Sequence, residues 1–99
     1  MPIEYAEPQD KVKPGTKELS RALSSLVEEL QAVDWYQQRV DISENEDLRR
    51  ILSHNRDEEK QHASLLMEWL RRSDPKFAER MQQFLFSKGN LGEIAENAG

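Results

Sequence analysis

Apolar side chains recur along two long stretches of this chain every three or four residues, the period of a helix that buries one face. The first stretch carries Leu19, Ala22, Leu23, Leu26, Leu30, Val33, Tyr36 and Val40. It predicts a helix from about Lys17 to Val40, with Thr16 as N-cap and Glu18 well placed in the first turn. The second stretch carries Leu48, Ile51, Leu52, Leu66, Trp69 and Leu70 and predicts a helix from about Glu46 to Arg72. Between them Asp41-Ile42 breaks the pattern, and Ser43-Glu44-Asn45-Glu46 has the form of a capping box. So short a connection makes the two helices antiparallel neighbours. Ser73-Asp74-Pro75 then stops the second helix and opens a third, with Asp74 as N-cap and Pro75 at the first helical position. The third helix runs to about Phe86, offers Phe77, Met81, Phe84 and Leu85 for packing, and ends at Lys88-Gly89-Asn90. Residues 1–15, with Pro2, Pro8, Pro14 and Gly15, read as a flexible N-terminal arm. Residues 89–99 read as a flexible C-terminal tail, leaving 16–88 as the helical region. The expected fold is all-α: an antiparallel two-helix hairpin plus a short C-terminal helix.

The second helix interrupts its own apolar stripe with polar groups. On a wheel of about 100° per residue, Leu48, Leu52, Leu66 and Leu70 fall within about 20° of Glu59. Asn55 lies about 40° away and His62 about 60°. An ionised carboxylate in a buried face is strongly unfavourable unless something compensates it. Glu59 and His62 are three residues apart and project side by side. On the first helix, Glu29 lies at the edge of the stripe, within about 20° of Ala22, Tyr36 and Val40. Counted from Ser43, Glu29 is about 21 Å back along its helix and Glu59 about 24 Å forward, at about 1.5 Å per residue. All three therefore sit at nearly one level of the hairpin, and a metal ion would compensate them. The competing reading pairs Glu59 with Arg56 or Lys60 and makes His62 an interface histidine. Glu28 is turned about 100° from Glu29, toward solvent or a second subunit. His54 reads as a surface residue, and Tyr36 and Trp35 read as packing aromatics.

Composition narrows the chemistry. At 99 residues this is at most one small domain with a modest core, which oligomerisation would enlarge. There is no cysteine, so any metal is held by carboxylates and by the two histidines, His54 and His62. With 19 acidic against 14 basic residues and a net charge of −5, nucleic acid is a poor match. No apolar run approaches the roughly 20 residues of a membrane span. Residues 1–15 lack the apolar core of a signal peptide, so a soluble cytoplasmic protein is expected. Carboxylate-bridged di-iron sites in helix bundles take a Glu from each of two helices and a Glu-x-x-His from each of the other two. Glu29 with Glu59 and His62 is half of that set. Two copies related by a two-fold axis would complete it and turn two hairpins into a four-helix bundle. Such donors suit iron or manganese. A manganese or other dinuclear oxidase, or a non-catalytic helical interaction module with a register-fixing polar centre, accounts for the same pattern.

Three segments carry a family resemblance: Val27-Glu28-Glu29-Leu30-Gln31-Ala32-Val33-Asp34-Trp35-Tyr36-Gln37-Gln38-Arg39-Val40, His54-Asn55-Arg56-Asp57-Glu58-Glu59-Lys60-Gln61-His62, and Glu68-Trp69-Leu70-Arg71-Arg72. Over about residues 17–88 the chain closely resembles the encapsulated ferritins, two-helix ferritin-like proteins packaged inside encapsulin nanocompartments. The resemblance implies a ferritin-like four-helix bundle formed by dimerisation and a decameric ring of five dimers. It implies a di-iron ferroxidase centre at each dimer interface, oxidising Fe(II) to Fe(III) with O₂, while the encapsulin shell stores the mineral. It also implies that Glu29, Glu59 and His62 are the iron ligands, that Tyr36 lies beside the centre, and that Trp35 lies near the route to it. The family's outer metal site uses two acidic residues; Glu28 matches the first, and Gln31 stands at the second. That site is therefore expected to attract cations less strongly, or to work through Glu28 alone. Family members carry an apolar-basic targeting peptide at the C-terminus. Residues 90–99 show no such segment, so either the sequence is trimmed or packaging differs.

Overall fold

Residues 4–98 are described by a computed structural model, and all regular structure among them is helical. After a 3-10 turn at Gln9–Lys11, helix α1 spans Pro14–Ile42 and helix α2 spans Glu46–Ser73. Helix α3 spans Pro75–Phe84 and helix α4 spans Leu91–Asn97. The expected all-α hairpin with a short C-terminal helix is present, and α4 is added to it. Residues 1–3 of the predicted arm and residue 99 of the predicted tail lie outside the described residues.

Two caps differ from expectation. Helix α1 starts at Pro14, ahead of Lys17, and its N-cap is Lys13, whose side chain makes no cap hydrogen bond. Proline suits the first helical position, because its fixed φ matches the helix and its missing N–H would have no partner there. Thr16 is therefore already inside the helix. At the hairpin turn, Asn45 rather than Ser43 caps α2, its Oδ1 accepting from the Leu48 N–H at 2.9 Å. Asparagine caps as well as serine, and Asn45 directly precedes the first helical residue. Ser43 instead closes α1, its N–H donating to the Arg39 carbonyl at 3.0 Å.

The chain divides into two units between Trp69 and Leu70. In the first unit α1 and α2 run antiparallel. Gln37 bonds Arg56, Glu29 meets His62, and Ala22 lines a groove with Trp69, so α1 is traversed backward as α2 advances. Among its described residues the fully buried ones are small, Ala22, Val40 and Ala63, with Leu26, Val33, Leu52 and Leu66 partly buried. Larger apolar side chains stay in water: Leu23, Val27 and Leu30 on α1, and Leu48, Ile51, Leu65 and Trp69 on α2. Exposed large apolar side chains on both helices mark a surface suited to a partner.

The second unit comprises the last turn of α2 with α3 and α4. Asp74 caps α3 as expected, its Oδ1 accepting from the N–H groups of Lys76 at 3.0 Å and Phe77 at 3.1 Å. Asp74→Ala is expected to lower stability by about 1 kcal/mol, read from the thermal melt of helical circular dichroism. Helix α3 ends at Phe84, two residues before the predicted Phe86. Phe86 takes the left-handed region at φ 59°, and Gly89 follows at φ 99°. Helix α4 then forms where the pattern predicts only a polar tail. Its N-cap Asn90 accepts from the Glu93 N–H at 3.0 Å. That cap is visible in the sequence, but only Leu91 and Ile94 stand behind it as apolar support.

Candidate metal centre

Helix α2 places Glu59 and His62 one turn apart, and α1 brings Glu29 against them. The Nδ1 of His62 lies 3.4 Å from Glu29 Oε2 and 3.5 Å from Glu59 Oε2. One donor atom from each residue falls within 4.8 Å of the others. The two carboxylates are half-buried at 26% and 23% side-chain exposure, while His62 is 49% exposed, so the cluster opens outward on the imidazole side. Glu29 Oε2 is itself shielded from solvent and has no hydrogen-bond partner. A buried carboxylate oxygen left unsatisfied is strongly unfavourable, which calls for an absent positive charge.

The two His62 spacings come close to what one requires. Metal–donor bonds of about 2.1 Å at angles of about 90–110° put neighbouring donors about 3.0–3.4 Å apart. Two carboxylates and an imidazole, with no thiolate, match iron or manganese in chemistry. The three residues singled out by periodicity and depth are thus together within one chain.

The competing partners of Glu59 are engaged elsewhere. Arg56 donates from Nε to Asp57 Oδ1 at 3.0 Å and from Nη1 to Gln37 Oε1 at 2.9 Å, and Lys60 lies 3.4 Å from Asp57. The hydrogen bond from Arg56 holds the Asp57 carboxyl below its ordinary 3.8, and the same bond raises Arg56. A lowered carboxylate pKa stabilises the fold above the ordinary aspartate value and loses that contribution as pH falls below it. Solvent screening keeps the effect small.

The remaining named residues lie outside the cluster. Tyr36 is half-buried two turns along α1 from Glu29, with the Arg39 guanidinium 5.3 Å over its ring. Trp35 is about half exposed, Glu28 is intermediate, and Gln31 is exposed. His54 is a surface residue, its Nε2 2.9 Å from Glu58. Leu48, Asn55, His62 and Trp69 recur every seven residues with Ile51, Glu58 and Leu65 between them, a heptad seam that carries His62. Its apolar members are 39–63% exposed. Sequence reasoning misses Gln37 and treats Arg56 only as a partner for Glu59. The available signal is that Arg56 lies about 60° from Glu59 on the side opposite His62.

A helical hairpin with a carboxylate–imidazole cluster astride its two helices defines a class of two-helix, ferritin-like proteins. The chain belongs to the EncFtn-like family, whose model matches residues 4–88. It is 50% identical over 95 residues to the encapsulated ferritin-like protein of Rhodospirillum rubrum, covering 94% of this chain and 68% of that relative. It is 45% identical over 96 residues to a ferritin-like protein of Thermotoga maritima, covering 97% and 84%. The encapsulin nanocompartment cargo protein EncC of Myxococcus xanthus is 36% identical over 88 residues, covering 83% and 68%. The crystal structure of protein ne0167 from Nitrosomonas europaea superposes with a TM-score of 0.85 at 46% identity, covering 88% of this chain and 96% of that one.

Proposed function

We propose that the chain is a ferroxidase that takes Fe(II) as substrate at Glu29, Glu59 and His62 and oxidises it to Fe(III) with O₂. The observation that carries this reading is the shielded, unpartnered Oε2 of Glu29, aimed at the same His62 nitrogen as Glu59. One protomer supplies two carboxylates and one imidazole, half of the donor set of a carboxylate-bridged iron pair. A second copy related by a two-fold axis supplies the other half. The exposed heptad seam supports that partner, because joining two copies along it covers Leu48, Ile51, Leu65 and Trp69 and makes a four-helix bundle around the site.

With both half-sets in place, a pair of bound Fe(II) ions supplies the electrons that O₂ accepts. The protein's own part is positional and electrostatic. Glu29 and Glu59 offset cation charge in a half-buried setting, and His62 adds a neutral donor. We assign Tyr36 a place beside the centre and Glu28 and Trp35 to an outer approach, with Gln31 weakening cation capture there. Relatives bear the names encapsulated ferritin-like protein and encapsulin nanocompartment cargo protein, and we read an encapsulin shell in the cytoplasm as the setting of this chain too, with the dimers assembled into a decameric ring.

The test is elemental analysis of the purified protein, followed by absorbance near 300–350 nm, roughly where Fe(III) absorbs, after Fe(II) is added in air. Ferroxidation predicts protein-dependent colour development well above the buffer rate. Retained manganese with no Fe(II) oxidation supports the manganese reading instead. No metal and no rate above buffer leaves only the interaction module.

A further inference from the structure

We propose that Arg56 is the positioning residue of this centre: by tying Gln37 of α1 to Asp57 of α2, it fixes the axial register at which Glu29 meets Glu59 and His62. The proposal rests on the reading of that cluster as a metal site.

The packing between α1 and α2 gives little purchase for register. The hairpin's fully buried residues among those described are the small Ala22, Val40 and Ala63, and the larger Leu26, Val33, Leu52 and Leu66 are only partly buried. The three-residue turn restrains one end of the helices, but Glu29 and Glu59 lie well along them. A slip of one residue moves one helix about 1.5 Å along the other. Metal ligation tolerates only about 0.2 Å in donor distance. Something between the turn and the cluster has to hold the register, and a directional polar bond does this better than partly buried aliphatic packing.

Arg56 is placed and oriented to do so. It lies one turn before Glu59, and its side chain is only 19% exposed while that of Asp57 is 58% exposed. Asp57 grips one edge of the guanidinium, accepting from Nε at 3.0 Å and from Nη2 at 3.3 Å. This two-point grip fixes the plane of the fork and leaves Nη1 aimed across the hairpin at Gln37 Oε1, 2.9 Å away. Gln37 is oriented in turn, because its Nε2 donates to Asp41 Oδ1 at 2.9 Å and so presents its oxygen to Arg56. The run Asp41–Gln37–Arg56–Asp57 thus ties one helix to the other without touching the metal donors. Lysine cannot replace it, since a single ammonium lacks the fixed fork.

The experiment titrates the full-length protein with cobalt(II) chloride and records affinity and the visible d–d spectrum of the bound ion, beside far-ultraviolet circular dichroism. Arg56→Met keeps the stem and removes the fork. It is expected to bind cobalt(II) about 10–100-fold more weakly and with an altered d–d spectrum while remaining helical. Gln37→Leu removes the other end of the bridge from an exposed position and is expected to show the same loss, which keeps the test valid if Arg56→Met fails to fold. Arg56→Lys should not restore the wild-type spectrum. Variants that bind cobalt(II) with wild-type affinity and spectrum, whatever their melting temperature, overturn the positioning role alone. If the wild-type protein itself binds no cobalt(II), the metal reading falls and the positioning role with it.

Discussion

Glu59→Ala and His62→Ala are each expected to reduce Fe(II) oxidation to the buffer rate while the protein stays helical. The two halves of that expectation come from one geometry. Function is lost because each protomer offers only three donors, so removing one takes a third of its half-set. The helices are kept because the donors are not bonded to anything that needs them. His62 Nδ1 stands 3.4 and 3.5 Å from the two carboxylates, too far for strong hydrogen bonds, and Glu29 Oε2 has no hydrogen-bond partner. Without metal the two carboxylates repel each other, so Glu59→Ala relieves the fold, the usual relation between stability and function at a binding site, whereas His62→Ala removes the imidazole that stands between them and should lower the melting temperature. Stopped-flow absorbance after mixing with Fe(II) in air reads the rate, and thermal melts of the metal-free variants read the stability. His54→Ala, which removes the chain's other histidine at an exposed position, is the control and should oxidise Fe(II) at the wild-type rate. Wild-type rates in both site variants would show that the cluster is not the oxidation site.

Much of this site is legible in the amino-acid sequence because helices are regular. A rise of about 1.5 Å and a turn of about 100° per residue convert sequence positions into depth and direction, which places Glu29, Glu59 and His62 at one level. The same regularity puts Asp74 and Pro75 at the start of α3, where they are found. What depends on competition between local options is less legible. Ser43 and Asn45 are both good caps, and only the path of the turn decides that Asn45 serves α2 while Ser43 closes α1. Helix α4 is hidden because two apolar residues in a polar segment give almost no periodic signal. The Arg56–Gln37 bridge spans 19 residues of sequence, and side-chain rotamers rather than any period settle which acceptor an arginine chooses. The exposure of Ile51 and Trp69 is also out of reach. A stripe reads as apolar whether its own hairpin or a second copy covers it, and here the hairpin leaves both in water.

That exposed stripe supports the second large effect, expected for Ile51→Glu: loss of self-association, and with it loss of rapid Fe(II) oxidation. Ile51 is 57% exposed in the protomer, so a carboxylate there stays hydrated and the hairpin should fold with unchanged helicity. In a two-fold dimer built along the seam, the same carboxylate would be buried twice, once from each copy, in an apolar setting beside Leu48. Burying two unpaired charges costs several kcal/mol, comparable with the whole association energy of a modest apolar interface. Light scattering coupled to size-exclusion chromatography should therefore report the monomer mass of 11.6 kDa for the variant and a multiple of it for the wild type. Oxidation should fall with association, because Glu29, Glu59 and His62 of one chain remain present but form only half of a dinuclear site. Ile51→Met, similar in volume and apolar, should retain both properties. Association and oxidation are the paired readout: a monomeric variant that still oxidises Fe(II) at the wild-type rate would show that one hairpin is catalytically sufficient and would remove the two-copy site.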